Sequence, residues 1–266
     1  MWAKLLSASP RRILYGLVLL CPIILFFLVA RIVLALTNPS FVDSYPVTGG
    51  GETTPRYLAF NTDGTKMFVV GGTNDRMLEY ALGTGFDFST LSYSGNSERF
   101  NLHSNNATGD SAPRGLAFNT DGTKMFVVGN VGNEVNEYDL TTAFDVSTAS
   151  FATRLDVSGE VTTPHGLAFS ADGTKMFVVG GRGDEVNEYT LTTGFDVSTA
   201  AYSQRLSVND QDSDPSDIAF NADGTKMFVT GMTGKEVNEY TLTTGFDVST
   251  ASFVDAFALA KGEKPR

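Results

Sequence analysis

Four side chains that can bind an anion occupy the same position in a repeated sequence pattern. Each directly follows a proline, and the four are Arg56, Arg114, His165 and Ser216. Guanidinium groups bind carboxylates through charge-assisted hydrogen bonds, and imidazole and hydroxyl groups add further donors. If the repeats bring these positions together, the sequence predicts one polar rim suited to an anionic or carbohydrate ligand, such as a sugar acid. The competing interpretation is four separate, solvated residues.

Catalytic signatures are missing from the sequence. The chain has two histidines and one cysteine, and it contains neither the G-x-S-x-G motif of serine hydrolases nor the H-E-x-x-H motif of zinc peptidases. We therefore predict no catalytic residue and no cofactor. Calcium would suit the acidic composition, but the aspartate of a repeated DGT turn lacks the D-x-D-x-D spacing of a calcium loop.

Three acidic positions recur in every repeat, and each has a structural explanation. One aspartate lies in the DGT turn and another precedes Ser-Thr, and both are typical of turn-capping side chains. A glutamate between apolar residues needs a partner, which we predict to be a lysine of the neighbouring strand or a backbone group. A ring of carboxylates around a cation is the alternative. The glutamates are Glu79, Glu137, Glu188 and Glu239, and the lysines are Lys66, Lys124, Lys175 and Lys226.

These positions belong to an internal repeat with the core A-F-x-x-D-G-T-K-M-F-V. The core aspartates Asp63, Asp121, Asp172 and Asp223 are separated by 58, 51 and 51 residues. A fixed period of this size indicates a repeat architecture in which each unit must pack against its neighbours. The predicted repeats are about 55–112, 113–163, 164–214 and 215–260, within a domain of residues 37–260. The first carries a polar insertion near Ser94–Ser111.

Each repeat predicts four short strands. In the third repeat they are Gly166–Phe169, Thr174–Val179, Glu185–Leu191 and Tyr202–Val208. Asp-Gly between the first two is a strong hairpin signal. The second strand is apolar on both faces, which requires a layer on either side of its sheet. We therefore predict an all-β fold, a β-propeller of four four-stranded blades. A β-sandwich is the alternative, but it would not require the period.

The run P-x-G-L-A-F-S-A-D-G-T-K-M-F-V-V-G, followed by E-V-N-E-Y-T-L, resembles the YVTN-type, WD40-like propeller repeats of bacterial and archaeal surface proteins. Lactonase-like propellers share this pattern. The resemblance extends over about residues 41–259. It implies a propeller whose ligands bind at one mouth of the central channel, which is where the proline-following residues are expected.

The sequence predicts one strand more than four four-stranded blades require. Ser40–Val47 matches Ser252–Leu259, the fourth strand of the last repeat. We therefore expect a spare leading strand at Phe41–Val47 that displaces the last strand, stacks beside it or pairs with a second copy, which would give a homo-oligomer. We expect a closed ring of four blades. An open arc, or a larger ring shared by two chains, is the alternative.

Residues 1–36 differ in composition from the repeats. Basic residues precede an uninterrupted apolar run, Ile13–Ala30, which is long enough to span a bilayer. We predict a single-pass membrane anchor with the repeats outside the cytoplasm. Cleavage after Ala35, as in a signal peptide, is the alternative and would release a secreted protein. At the other end, residues 261–266 form a basic tail.

The charge of the repeats excludes one class of partner. The whole chain carries a net charge of −11, and residues 1–36 hold four basic and no acidic side chains, which leaves −15 on the remainder. Such a surface repels nucleic acid. We predict an exported binding module at the cell surface whose partner is a protein or a carbohydrate. The alternatives are a lactonase-like or other hydrolase acting at the channel mouth, and a structural or adhesion protein that assembles through its spare strand.

Overall fold

The computed structural model describes residues 44–47, 51–102, 112–181 and 183–258. All the elements below belong to the unit Tyr45–Arg266. The predicted anchor Ile13–Ala30, the cleavage site and the basic tail lie outside the described residues. Among the residues that are described, no helix has the length and apolar character needed to cross a membrane.

Four antiparallel sheets follow one another along the chain, and we call them blades 1 to 4. Blade 1 contains β1 (Pro55–Phe60), β2 (Lys66–Gly71), β3 (Arg76–Leu82), β4 (Leu91–Tyr93) and β5 (Arg99–Asn101). Blade 2 contains β6 (Pro113–Phe118), β7 (Lys124–Gly129), β8 (Glu134–Leu140) and β9 (Ala149–Asp156). Blade 3 contains β10 (Pro164–Phe169), β11 (Lys175–Gly180), β12 (Glu185–Leu191) and β13 (Ala200–Ser207). Blade 4 contains β14 (Pro215–Phe220), β15 (Lys226–Gly231), β16 (Glu236–Leu242) and β17 (Ala251–Ala258).

Strand order within each blade follows the chain, as expected for a β-propeller. The first strands of successive blades lie side by side, β1 against β6, β6 against β10 and β10 against β14. Blade 1 departs from the pattern because its fourth strand is interrupted. β4 and β5 both pair with β3, and a short 3₁₀ helix, Asn96–Glu98, lies between them. The predicted insertion therefore begins inside the fourth strand.

The DGT turn explains why the first two strands of each blade form a hairpin. Asp172 Oδ1 accepts hydrogen bonds from the amide and the hydroxyl of Thr174, at 3.0 and 2.8 Å. Gly173 has a φ of +71°, and a Cβ there would lie 2.2 Å from the ring of Phe195. Only glycine fits both the conformation and the contact. The predicted turn-capping role of this aspartate is confirmed, as it is for Asp196, whose Oδ1 accepts the amide of Ser198 at 3.1 Å.

Of the four apolar clusters in the described residues, three lie between successive blades, one at each interface, and the fourth lies on blade 1. We call the side of a blade that meets the following blade its leading face and the opposite side its trailing face. Between blades 3 and 4, Phe177 and Val179 on the leading face meet Met227, Val229 and Tyr240 on the trailing face. The second strand of a blade thus contributes to two clusters, which is why it is apolar on both sides.

An ion pair within a blade also makes hydrogen bonds to the following blade at each of the three interfaces. Glu188 lies in the middle of β12, and its Oε1 is 2.8 Å from Nζ of Lys175. The same ammonium donates to the carbonyl oxygen of Phe246 in the next blade at 2.7 Å, and Glu188 Oε2 accepts the amide of Val248 at 3.1 Å. The predicted glutamate–lysine pair is confirmed in all four blades. No shared ring of these carboxylates forms, because each has its own lysine.

The described residues form no apolar cluster between blade 4 and blade 1, in contrast to the closed ring that we expected. Leu58 on the trailing face of blade 1 is 53% exposed, and its counterpart Leu116 in blade 2 is 1% exposed. On the leading face of blade 4, Phe228 is half-buried, whereas Phe177 in blade 3 is fully buried. A cavity of about 560 Å³ lies over the trailing face of blade 1. The four blades are therefore an arc with three apolar interfaces.

Only part of the expected leading strand is described. Residues 44–47 form no strand, and the ring of Tyr45 meets that of Tyr80 edge-on, with centroids 6.3 Å apart. Val47 packs on the trailing face of blade 1. β17 is fully paired with β16, so the leading segment does not displace the last strand.

The two phenylalanines on leading faces test whether the arc is open. We expect Phe177→Ala to reduce the free energy of unfolding by about 3–5 kcal/mol, because it creates a cavity in a packed interface. Phe228→Ala removes a half-buried side chain and should cost roughly 1–2 kcal/mol. Urea unfolding of both variants at low protein concentration measures the difference. Equal costs would mean that the leading face of blade 4 is covered.

Candidate functional site

The four proline-following residues are placed by the same backbone irregularity. In each blade the first strand pairs its proline with a glycine and then skips one residue, so the residue after the proline lies in a β-bulge. A bulge redirects its extra residue out of the regular alternation of the strand. Because the first strands are the ones that meet one another, these bulges lie together at one end of the array.

The structure brings all four predicted residues to one cavity of about 310 Å³. The cavity is lined by Arg56, Tyr57, Arg114, His165, Ser216, Asp217, Thr230 and Met232. Close approach of the first strands depends on two glycines. A Cβ at Gly115 would lie 2.6 Å from the carbonyl oxygen of His165, and one at Gly166 would lie 2.8 Å from Cα of Asp217. Whether a ligand binds in this cavity stays a prediction.

Arg56 and Arg114 make the cavity cationic. Neither forms an ion pair within the described part of the chain, and Nε of Arg114 is buried without a hydrogen-bond partner. Burial lowers the pKa of Arg114, and the nearby charge of Arg56 lowers it further. A buried donor without an acceptor is costly, so an anion between the two guanidinium groups would relieve both the unpaired donor and the repulsion.

His165 and Ser216 contribute hydrogen-bonding groups. Burial lowers the pKa of His165, with the charge of Arg114 as a second cause, so its imidazole is neutral at neutral pH. Its Nδ1 lies 3.3 Å from the carbonyl oxygen of Pro215. The Ser216 hydroxyl donates to the carbonyl oxygen of Thr230 at 3.2 Å. At neutral pH, the positive charge of the cavity therefore comes from the arginines.

Asp217 and Tyr57 are the functional candidates that sequence reasoning missed. The Tyr57 hydroxyl donates a hydrogen bond to the Asp217 carboxylate from the opposite end of the arc. Burial raises the pKa of Asp217 to about 6, and the Tyr57 bond offsets only part of that rise. Burial and this carboxylate also raise the pKa of Tyr57. The signal was present in the sequence, because the position after the rim residue is glycine in blades 2 and 3 but tyrosine and aspartate in blades 1 and 4.

One acidic run is explained by the structure. Asp210, Asp212 and Asp214 alternate along the chain, but Asp212 is buried and uses its oxygens for backbone amides. Its Oδ1 accepts the amide of Asp214 at 2.8 Å, and its Oδ2 accepts that of Gly234 at 2.6 Å. The carboxylate of Asp212 therefore stabilises a loop of blade 4 through these backbone hydrogen bonds.

Comparison with known proteins supports the fold. No family model matches the chain, and no curated protein matches it. Among solved structures, two are named "putative 6-phosphogluconolactonase". The one from Bacteroides uniformis has a TM-score of 0.54 at 13% identity, over 81% of this chain and 60% of that one. The one from Bacteroides fragilis has a TM-score of 0.53 at 17% identity, over 83% and 60%.

A third structure, a protein from Lactobacillus plantarum, has a TM-score of 0.52 at 15% identity, over 77% of this chain and 55% of that one. The chain thus spans 55 to 60% of the length of these three structures. At such low identities the likeness concerns the fold alone. Together with the sheet topology it defines the chain as a four-bladed β-propeller.

Asp217→Asn tests the buried carboxylate. The pKa of Asp217 in the folded protein is about 6, above the unfolded value of about 3.9, so the folded state binds this proton more tightly. Stability from this group is therefore full below about pH 4 and is lost as the pH rises through 6. We expect the variant to be more stable than the wild type by roughly 1–3 kcal/mol at pH 8 and equal to it at pH 4. Urea unfolding across this range checks the difference, and a constant difference would contradict it.

Proposed function

We propose that the chain is a binding module for a small anionic ligand of the sugar-acid type, which it holds at the channel mouth. Arg56 and Arg114 bind the carboxylate, and His165 and Ser216 bind hydroxyl groups of the ligand. The observation that carries the proposal is the pair of arginines that line one cavity without forming an ion pair in the described residues, one of them with a buried, unpartnered Nε. The two guanidinium groups outweigh the single carboxylate in the lining, that of Asp217, so the cavity attracts an anion on a protein that is otherwise acidic.

Binding of sugar acids tests the proposal. We expect sodium gluconate and sodium glucuronate to raise the thermal unfolding midpoint and to bind in calorimetry, and glucose to do neither. Arg56→Ala combined with Arg114→Ala should abolish the effect, since both charge partners are lost. Arg154→Ala combined with Arg205→Ala removes two positive charges from exposed outer strands and serves as the control. The proposal fails if neither acid binds, or if the double variant binds as tightly as the wild type.

A hydrolase is the second candidate function, and Asp217 is the observation that favours it. A carboxyl with a pKa near the operating pH can act as a general acid or base. Two structures with this fold are named for a lactonase activity. The same protein samples can be mixed with glucono-δ-lactone and followed for acid release. Turnover that disappears in Asp217→Asn would favour this candidate over binding alone.

Assembly with a second copy is a further candidate, and the two free faces favour it. The leading face of blade 4 carries Phe228 and Val237, the counterparts of Phe177 and Val186, which are packed between blades 3 and 4. The trailing face of blade 1 carries Met67 and Val69, the counterparts of the residues that receive them. The two faces are complementary in the same way as the internal interfaces, so a second copy fits them head to tail. Tyr45 and Val47, which end the segment Phe41–Val47 predicted to pair with a second copy, pack against blade 1.

Light scattering over a concentration series tests the assembly. We expect the wild type to self-associate and Phe228→Glu to remain monomeric, because the new charge would be buried in the interface. Ser203→Glu adds the same charge to an exposed outer strand and should leave association unchanged. A wild type that is monomeric at every concentration would contradict assembly through these faces.

The location of these activities depends on the apolar run Ile13–Ala30. We propose that this run anchors the chain in the membrane, or that it is removed after Ala35, and that the propeller acts outside the cytoplasm in either case.

A further inference from the structure

Three carboxylates meet at the interface of blades 1 and 2, away from the channel mouth. Glu79 comes from β3, Glu98 from the 3₁₀ helix that interrupts the fourth strand, and Asp145 from the loop before β9. One oxygen from each lies within 4.8 Å of the others. Glu79 is 3% exposed, and the other two are half-buried. The group is therefore part of the interface and still reachable from solvent.

Glu79 differs from its counterparts because one of its oxygens has no partner. Glu137 Oε2 accepts the amide of Val197 at 2.9 Å, and Glu188 Oε2 accepts the amide of Val248 at 3.1 Å. Glu79 Oε1 is 2.7 Å from Nζ of Lys66, but its Oε2 is buried and accepts no hydrogen bond. A buried carboxylate oxygen without a donor carries a large desolvation cost, which a cation would offset.

The third carboxylate is specific to this interface. Between blades 3 and 4 the amide of Gln204 bridges the equivalent pair, donating to Glu188 Oε2 at 2.9 Å and to Asp247 Oδ1 at 2.8 Å. Blade 2 has the neutral Thr153 at the position of Gln204, whereas the fourth strand of blade 1 is broken at this point and Glu98 lies there instead. Lys66 balances one of the three negative charges. Blade 1 thus places an acidic group where blades 2 and 3 have a neutral side chain, and a bound cation would balance the added negative charge.

We propose that Glu79, Glu98 and Asp145 bind one Ca²⁺ ion that joins blade 1 to blade 2. Carboxylate oxygens are the ligands of hard cations. Ca–O distances of about 2.3–2.6 Å place opposite ligands up to about 5 Å apart, which the spread of these oxygens satisfies. Mg²⁺ demands a near-ideal octahedral set of oxygens, whereas Ca²⁺ accepts the irregular set that three side chains from separate segments offer. Water completes the coordination on the half-buried side. The ion would supply the link across this interface that Val197 and Val248 supply at the other two.

Calcium binding by the full chain, stripped of metal with EDTA, tests the site. We expect calorimetry with CaCl₂ to show one site per chain, and calcium to raise the thermal unfolding midpoint by several degrees by binding the folded state selectively. MgCl₂ should have a clearly smaller effect. Glu98→Gln should weaken calcium binding at least tenfold. Its midpoint without calcium should equal or exceed that of the wild type, because the repulsion among the carboxylates falls.

A pair of matched variants separates the site from a general effect of acidic side chains. Asp145→Asn and Asp196→Asn remove the same negative charge from the cap of a 3₁₀ helix and keep a capping oxygen, since both aspartates accept the amide of the serine two residues on. Only Asp145→Asn should abolish the calcium-induced shift. Absence of calcium binding in the wild type would overturn the proposal. It would mean that a proton on Glu79, and not a metal ion, offsets the repulsion among the three carboxylates. Full calcium affinity in Glu98→Gln, or equal loss in both asparagine variants, would also overturn it.

Discussion

The structure depends on a buried glutamate, Glu137 in blade 2 and Glu188 in blade 3, whose hydrogen bonds are complete only when the next blade is in place. Glu188 is 1% exposed, and its oxygens are shared between a lysine of its own blade and an amide of the following one. Burying such a carboxylate alone would be strongly unfavourable, and removing one member of a buried pair costs about 3–5 kcal/mol. The lysine also reaches the next blade through the carbonyl oxygen of Phe246. A blade is therefore electrostatically incomplete without a neighbour, in addition to having two apolar faces to bury.

The two ends of the array show what happens when a neighbour is missing. The side chain of Glu239 in blade 4 is 28% exposed, compared with 1% for Glu188, and it keeps only its own lysine. At the other end, Tyr45 and Val47 cover part of blade 1, in the place where Leu155 and Val157 of blade 2 meet blade 3. Even so, the side chain of Leu58 remains exposed to solvent. The leading segment thus does part of the work of a preceding blade, which explains how blade 1 buries Met67 and Val69 without a fourth interface.

The sequence predicted most of the local structure, because that structure is encoded by short-range chemistry repeated four times. The strands of the third repeat are within two residues of their predicted ends, and the caps of Asp172 and Asp196 are confirmed. It also identified the positions that meet at the channel mouth. It favoured the closed ring and gave the open arc only as the alternative, because closure depends on the angles between whole blades, which no single motif encodes. It did not predict the bond between Tyr57 and Asp217, which joins residues 160 positions apart.

In this chain, departures from the repeat locate the chemistry better than the repeat itself. Residues that are identical in all four blades are occupied by turns and interfaces, as the aspartates of the DGT turns and the glutamate–lysine pairs demonstrate. Asp217 stands where two blades have glycine, and Glu98 lies where other blades continue a strand. Both are acidic groups at positions where packing alone would select a small or neutral residue. A fold built from equivalent units supplies equivalent environments, so a site that needs one acid, one base or one ion must be made by breaking that equivalence. Blade 1 departs from the repeat twice, at Tyr57 and at Glu98. Each departure contributes to a candidate binding site at one of the two borders of this blade.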